Sequence, residues 1–103
     1  MEFEFSTSEL TELYTKGKCR KLKFLNTKAV DNFFDCIQNI EAAESIQDWW
    51  KRPAMHFEKL QGSGDQFSMR IDCKHRLKFK IDFEDKERTR GFVSILEISK
   101  HYK

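Results

Sequence analysis

The sequence predicts a single α+β domain, residues 1–103, in which an N-terminal strand and two helices pack on an antiparallel sheet. Apolar residues recur every three or four positions before Pro53, as in helices, and every two positions after it, as in strands. A hydrophobic content of 39% with ten phenylalanines supplies a core, and 103 residues suit one domain. Helices before strands indicate layers of the α+β kind.

The first elements follow from local patterns. Residues 2–5 alternate polar and aromatic side chains, which predicts a short strand. Ser6 and Glu9 have the spacing of a capping box, so we expect a helix to begin there and to end at Gly17. Residues 16–28 then carry six basic residues and no acidic one, which predicts a basic linker.

The second helix is predicted over residues 27–43, with Asn26 or Thr27 as its N-cap. Its apolar residues have the three-and-four spacing of one broad buried face: Val30, Phe33, Phe34, Ile37 and Ile40. This face should cover one side of the sheet.

A short helical turn over residues 45–51 carries Trp49 and Trp50. It should end at Arg52, because the residue before Pro53 is pushed towards extended geometry. The two indoles can stack on nucleic-acid bases, but adjacent aromatic residues after an amphipathic helix more often close a small core. We expect at least one of them to pack inside.

The rest of the chain has the period of strands. Four strands are predicted, at residues 56–60, 66–73, 74–83 and 92–99, with a glycine-containing turn at 61–65 and a charged connection at 84–90. The exposed face of this sheet should carry the functional groups, because the helices cover the other face.

Charge and cysteine content limit the function classes. Residues 1–50 carry six Lys/Arg against nine Asp/Glu, whereas residues 51–103 carry thirteen against eight, so the second half is basic. Cys19, Cys36 and Cys73 are an odd set, which fits reduced thiols. The sequence lacks a secretory signal pattern and any run of about 20 apolar residues. We therefore expect a cytoplasmic protein without membrane contact.

A basic stripe is predicted on two neighbouring strands, formed by Arg70, Lys74, Arg76, Lys78 and Lys80. Such a row can neutralise several phosphates and bind RNA through its backbone. Exposed strand faces also carry Lys and Arg simply to stay solvated and to block edge pairing. Spacing alone does not separate these two interpretations.

Acid/base chemistry could come from His56, Arg76, His101 and Tyr102. Attack of a ribose 2′-hydroxyl on its own phosphate needs a proton acceptor, a proton donor and a cation, and these residue types fit those roles. A lone histidine is, however, more often structural than catalytic.

A metal site is poorly supported. Cys73 and His75 fall on one side of a strand and could be joined by Cys36 or His56, but closely spaced ligand pairs are lacking. The glycines of the Gly62-Ser-Gly64 turn do not form a phosphate-binding loop. We expect no metal and no cofactor.

Four motifs together resemble the RelE/ParE toxin superfamily in its HigB-like branch. They are His-Phe-Glu-Lys-Leu-Gln-Gly at 56–62, Phe-Ser-Met-Arg-Ile at 67–71, Lys-His-Arg-Leu-Lys-Phe at 74–79 and Leu-Glu-Ile-Ser-Lys-His-Tyr at 96–102. The motifs lie within residues 56–102, and the resemblance is taken to cover nearly the whole chain. It implies a compact, microbial RNase-like fold.

The resemblance also implies site residues. His56 matches the family histidine at the start of its strand, Lys59 lies near the family lysine, and Arg70 and Arg76 match its two strand arginines. The family usually ends in Asp-Tyr-His, but residues 100–102 here are Lys-His-Tyr. The acid is therefore missing, and the Tyr and His are exchanged.

A function follows from the same resemblance. It implies a toxin of a type II toxin-antitoxin system that cleaves mRNA at the ribosomal A site and is held in a heteromer by an antitoxin with a helix-turn-helix domain. Two alternatives stay open: a non-enzymatic toxin of the gyrase-poisoning kind, and a module that co-represses its own operon through the antitoxin.

Overall fold

The protein is described by a computed structural model that covers residues 1–62 and 64–100. The helical elements lie between the first strand and the other four: α1 (Ser8–Lys16), a 3-10 helix (Arg20–Leu22), α2 (Thr27–Ala42), α3 (Gln47–Trp50) and a second 3-10 helix (Pro53–Met55). The strands are β1 (Phe3–Phe5), β2 (Glu58–Lys59), β3 (Gln66–Arg70), β4 (His75–Phe83) and β5 (Gly91–Lys100). They form one sheet in the order β1-β5-β4-β3-β2. The predicted α+β class is confirmed.

The helix boundaries follow local chemistry, with one correction. Gly17, at φ 76°, ends α1 as predicted, and its N–H donates to the Leu13 carbonyl. Asn26 caps α2 by accepting from the Ala29 N–H at 2.8 Å. The predicted capping box at Ser6 is wrong, because Thr7 is the N-cap. The Ser6 hydroxyl instead donates to the β5 carbonyl of Ile95, at 2.8 Å.

The sheet is mixed rather than wholly antiparallel. The β3–β4 and β4–β5 pairs are antiparallel as expected, but β1 joins the edge beside β5 and runs parallel to it, with Phe3 opposite Val93. This edge becomes available only when the last strand is in place, so local patterns do not reveal it. β4 and β5 fit closely at Gly91, where a Cβ would collide with the Asp82 carbonyl.

The four strands predicted after Pro53 have different bounds in the structure, and the predicted linker is partly helical. The strand expected at 56–60 is reduced to Glu58–Lys59, and the one expected at 66–73 ends at Arg70. Residues 71–74 turn instead, because the Asp72 carboxylate accepts from the backbone N–H groups of Lys74 and His75, each at 2.8 Å. The final strand is two residues longer than predicted. The basic linker contains the 3-10 helix Arg20–Leu22.

The core lies between the helices and one face of the sheet. Phe33 and Ile37 of α2 are buried in one cluster with Leu77 and Phe79 of β4. Each such side chain contributes roughly 1.5–3 kcal/mol by leaving water. Trp49 is also buried, whereas Trp50 is 52% exposed, so the expectation that at least one indole packs inside is confirmed. None of the helices in the described residues is long and apolar enough to span a membrane.

The other face of the sheet, here called the open face, is polar. Cross-strand partners share a face, so the register aligns Arg70 with Arg76, and Ser68 with Lys78. The same register continues onto β2, where Glu58 lies opposite Ser68. One end of the open face therefore collects side chains from three strands.

Candidate functional site

His56 stands at the entrance to the open face in an unusual backbone conformation. It follows the 3-10 helix Pro53–Met55 and has φ 48° and ψ 44°, in the left-handed region. A non-glycine residue held there costs on the order of 1 kcal/mol or more. Its N–H donates to the Pro53 carbonyl at 3.1 Å, and its carbonyl accepts from Arg76. The predicted place of His56 within a strand is therefore wrong.

Arg76 connects three strands at this end of the open face. Its Nε donates to the Ser68 hydroxyl at 2.9 Å, its Nη2 donates to the His56 carbonyl, and the same nitrogen lies 3.6 Å from Glu58 Oε1. The residue is only 9% exposed. The protein therefore holds this guanidinium in a fixed orientation, and the charge of Glu58 partly balances it.

Arg70 brings a second guanidinium next to the imidazole. Arg70 Nη1 lies 3.3 Å from His56 Nε2. A guanidinium only donates, so Nε2 accepts, and this geometry corresponds to an imidazole with its proton on Nδ1. Both residues are exposed. The pair presents to solvent a cation that can bind a phosphate and a ring nitrogen that can take a proton.

The backbone under Arg70 is held from α2. The Cys36 thiol donates to the Arg70 carbonyl at 3.4 Å, and the Asn32 amide donates to the Ile71 carbonyl at 2.9 Å. Burial, with a smaller contribution from Asp35, raises the pKa of the Cys36 thiol to about 12. This cysteine therefore stays protonated as a donor and is not a nucleophile.

The other predicted basic residues are more scattered. Lys78 lies on the open face, 3.9 Å from Glu97, and the exposed Lys80 is two residues further along β4. Lys59 pairs with Phe67, whose ring is in the core, so Lys59 is directed away from the open face. Lys74 is exposed in the β3–β4 turn and is not part of the strand stripe.

His101 and Tyr102, the remaining candidates, lie outside the described residues. The described part of β5 places Ser99 opposite Arg76. The structure thus brings together His56, Arg70 and Arg76, three of the predicted residues.

Two residues of this cluster were missed by sequence reasoning. Glu58 approaches Arg76 and is the acidic member of the group, and Ser68 anchors the Arg76 side chain. Ser68 is buried at 1% exposure although it lies on the open face. The available signal was alternation, since Ser68 is two residues before Arg70 and Glu58 two residues after His56.

His75, one of the residues considered for a metal, has other partners. His75 Nδ1 lies 2.9 Å from Asp72 Oδ1, and its ring packs 5.5 Å from that of Phe24. Burial acts to raise the pKa of the Asp72 carboxyl, but the hydrogen bonds from Lys74 and His75 outweigh it and lower that pKa overall. Within residues 1–62 and 64–100, no group of three or more His, Cys, Asp or Glu could hold a metal ion.

Comparison with known proteins gives a likeness of fold. No protein-family model and no curated protein sequence matches the chain. Among solved structures, a YoeB/ParE toxin from Agrobacterium tumefaciens has a TM-score of 0.59 and 16% identity, covering 99% of this chain and 100% of the toxin. The YoeB-YefM complex from Staphylococcus aureus has a TM-score of 0.58 and 18% identity, covering 99% and 98%.

A YoeB dimer from the same bacterium is similar, with a TM-score of 0.57 and 18% identity, covering 99% of this chain and 98% of that one. The five-stranded sheet with its helices is therefore the fold of YoeB/ParE toxins. This agrees with the RelE/ParE resemblance at the level of fold. The HigB-like branch is not confirmed.

Proposed function

We propose that this chain is the toxin of a type II toxin-antitoxin system and cleaves mRNA on the ribosome as a metal-independent endoribonuclease. The observation that carries the proposal is the contact between His56 Nε2 and Arg70, beside a fixed Arg76, on the open face of a fold shared with YoeB/ParE toxins. The set joins a base to cations that can hold a phosphate.

The proposed reaction is attack of a ribose 2′-oxygen on the adjacent phosphorus. When RNA binds, Arg70 turns from the imidazole to the non-bridging oxygens and stabilises the charge that develops there. This frees the lone pair of His56 Nε2, which removes the 2′-hydroxyl proton as the 2′-O–P bond forms. The P–5′-O bond then breaks, leaving a 2′,3′-cyclic phosphate. The 5′-oxygen takes a proton from His101 or Tyr102, which follow Lys100, the end of the strand in which Ser99 lies opposite Arg76.

Arg76 has a positioning role in this scheme. Its guanidinium is engaged by Ser68, His56 and Glu58, so it holds the His56 backbone and adds positive potential. Lys78 and Lys80 extend the positive surface along β4 and would bind flanking phosphates. We assign weaker roles to Lys74, at the turn, and Lys59, on the far side of β2.

The proposed partners follow from the same function. A toxin that acts on translating ribosomes works in the cytoplasm, and its neutralisation requires an antitoxin in a heteromer. One solved structure with this fold is a YoeB-YefM complex, which supports a protein partner. A helix-turn-helix domain in that partner is part of the proposal.

Expression in cells that lack the antitoxin, with mapping of mRNA 5′ ends, tests this proposal. We expect new cuts within translated codons and growth arrest, both lost in Arg70→Ala and His56→Ala. Lys86→Ala is a matched control, because Lys86 is exposed in the β4–β5 connection, away from the cluster. Purified chain added to naked RNA and to a translation extract separates ribosome-dependent from free cleavage.

A second candidate, a toxin that binds its target without cleaving RNA, is favoured by one observation. Arg76 is almost fully enclosed by protein groups, as expected for a structural rather than a catalytic arginine. The gyrase-type alternative predicts DNA breaks and growth arrest while mRNA stays intact. The co-repressor alternative predicts normal growth on expression.

A further inference from the structure

A groove outside the proposed catalytic site runs between α1, the 3-10 helix Arg20–Leu22 and the start of α2. Its volume is about 430 Å³, comparable with clefts that bury a drug-sized ligand. The apolar residues that line it are Leu13, Cys19, Leu22, Leu25, Val30 and Phe34. Leu22, Val30 and Phe34 are only partly buried, so this α1–α2 groove has an apolar floor in contact with solvent.

The rim of the α1–α2 groove is strongly basic. Lys18 and Lys23 line it directly, within the segment 16–28 that carries six basic residues and no acidic one. In the described part of the chain, only Lys21 of these six has an acidic partner, Glu9 at 3.3 Å. Asp31 is the acidic residue of the lining. The rim therefore has a surplus of positive charge that the fold itself leaves largely unbalanced.

We propose that the α1–α2 groove binds an amphipathic α-helix whose polar face is acidic. Apolar side chains spaced i, i+3, i+4 and i+7 on such a helix would cover Leu22, Val30 and Phe34, and its carboxylates would face Lys18 and Lys23. An RNA strand would use the cations but would leave the apolar floor exposed to water. Charge and floor together therefore favour a protein partner over RNA.

The groove and the catalytic cluster lie on opposite faces of the sheet. The groove is built from helices, whereas His56, Arg70 and Arg76 meet on the open face of the sheet. A helix bound in the groove would leave the open face uncovered. If the partner is a segment of an antitoxin, that identification rests on the proposed function. The proposal that the groove binds an acidic helix does not depend on the proposed function.

The test is a binding experiment with a defined probe. The probe is a side-chain-stapled helical peptide of about 15 residues, long enough to form a stable helix, with Leu on one face and Glu on the other. Titrated into the ¹⁵N-labelled chain, it should shift the amide resonances of Lys18, Leu22 and Val30 and leave those of Arg70 unchanged. Its twin with Lys in place of Glu should bind at least about tenfold more weakly.

Variants of the chain identify the contacts. Lys18→Glu with Lys23→Glu should weaken peptide binding at least about tenfold. Lys51→Glu with Lys86→Glu, the same charge change at exposed positions elsewhere, should leave it unchanged. Val30→Asn tests the floor without changing charge and should also weaken binding. The ¹⁵N spectrum of each free variant shows whether it is folded.

Three results would overturn the inference: no shifts from the acidic peptide, shifts confined to the open face, or shifts of the groove residues by a single-stranded RNA of about 12 nucleotides in place of the peptide. None of these measurements uses RNA cleavage. A failed peptide experiment therefore does not contradict the proposed function. In the same way, an absence of mRNA cuts does not contradict helix binding in the groove.

Discussion

Arg76 and His56 are joined through the main chain: the guanidinium donates to the His56 carbonyl, while the imidazole Nε2 faces Arg70 instead. The same guanidinium is held by Ser68 and approaches Glu58. One arginine thus fixes the backbone of the histidine, and the other contacts its ring. The two arginines should therefore give different phenotypes when they are replaced.

Replacement of Arg76 should lower stability as well as activity. Arg76→Met removes charge-assisted hydrogen bonds at a buried position, so we expect a loss of about 2–4 kcal/mol in the free energy of unfolding. Arg76→Lys cannot donate to Ser68 and His56 in the same fork geometry. Its stability should therefore lie between that of the wild type and that of Arg76→Met. Urea unfolding measures the stability of the two Arg76 variants, and Arg70→Met serves as the comparison. An unchanged midpoint for Arg76→Met would show that these bonds contribute little.

Because His56 has a left-handed backbone conformation, two substitutions at this position can separate the effect of backbone strain from the effect of losing the imidazole. His56→Gly removes the ring but favours positive φ, whereas His56→Ala removes the ring and keeps the strain. We expect the glycine variant to be more stable than the alanine variant by about 0.5–1 kcal/mol, and both to lose cleavage. Thermal unfolding compares the pair. A more stable alanine variant would mean that residue 56 relaxes out of this conformation.

The buried Cys36 thiol predicts a pH dependence of stability. Its pKa is raised to about 12 in the folded protein from the ordinary thiol value of 9.0, so the folded state keeps its proton longer. The contribution of this thiol to the stability of the fold is fully present below pH 9 and is lost as pH rises towards 12. Between pH 7.5 and pH 10.5 the wild type should lose about 2 kcal/mol more of its free energy of unfolding than Cys36→Ala does. Equal losses in the two proteins would contradict the raised pKa.

The connection between β4 and β5 predicts a change at acid pH. Hydrogen bonds from the Thr89 side chain and backbone, and from the Arg90 N–H, lower the pKa of the Asp85 carboxyl. A depressed folded pKa stabilises the protein above the unfolded pKa, and the effect is lost as pH falls through the folded value. Asp85→Asn should therefore unfold with a weaker acid dependence than the wild type. Glu87→Gln, in the same exposed loop, is the control.

Local sequence patterns predicted most elements but not their long-range partners. Gly17 and Asn26 act through neighbours within four residues, so their roles could be read directly. The parallel pairing of Phe3 with Val93 joins positions at opposite ends of the chain, and no local pattern specifies it. The same holds for Ser6, whose hydroxyl binds the distant Ile95 carbonyl instead of capping α1.

The candidate site was predicted in part for the same reason. Arg70 and Arg76 lie on regular strands, where alternation assigns a face. Lys59 was included because the resemblance places it near the family lysine, yet its pairing with Phe67 puts it on the other face of the sheet. The roles of Ser68 and Glu58 depend on the register between three strands and on the fold of the Arg76 side chain. Such contacts appear only in three dimensions.

Asn32 should act as a positioning residue for Arg70 from the opposite side of the sheet. Its amide donates to the Ile71 carbonyl at 2.9 Å, next to the Arg70 carbonyl held by Cys36. Asn32→Ala should cost about 1 kcal/mol of stability and reduce RNA cleavage about tenfold. The reason is that the Arg70 guanidinium would no longer be held in its position next to the His56 imidazole. Gln38→Ala, exposed on the same helix, should change neither property. A shift of the Arg70 Nε–H resonance in Asn32→Ala, absent in Gln38→Ala, would distinguish positioning from general destabilisation; full cleavage with an altered resonance would show that the Arg70 backbone tolerates the change.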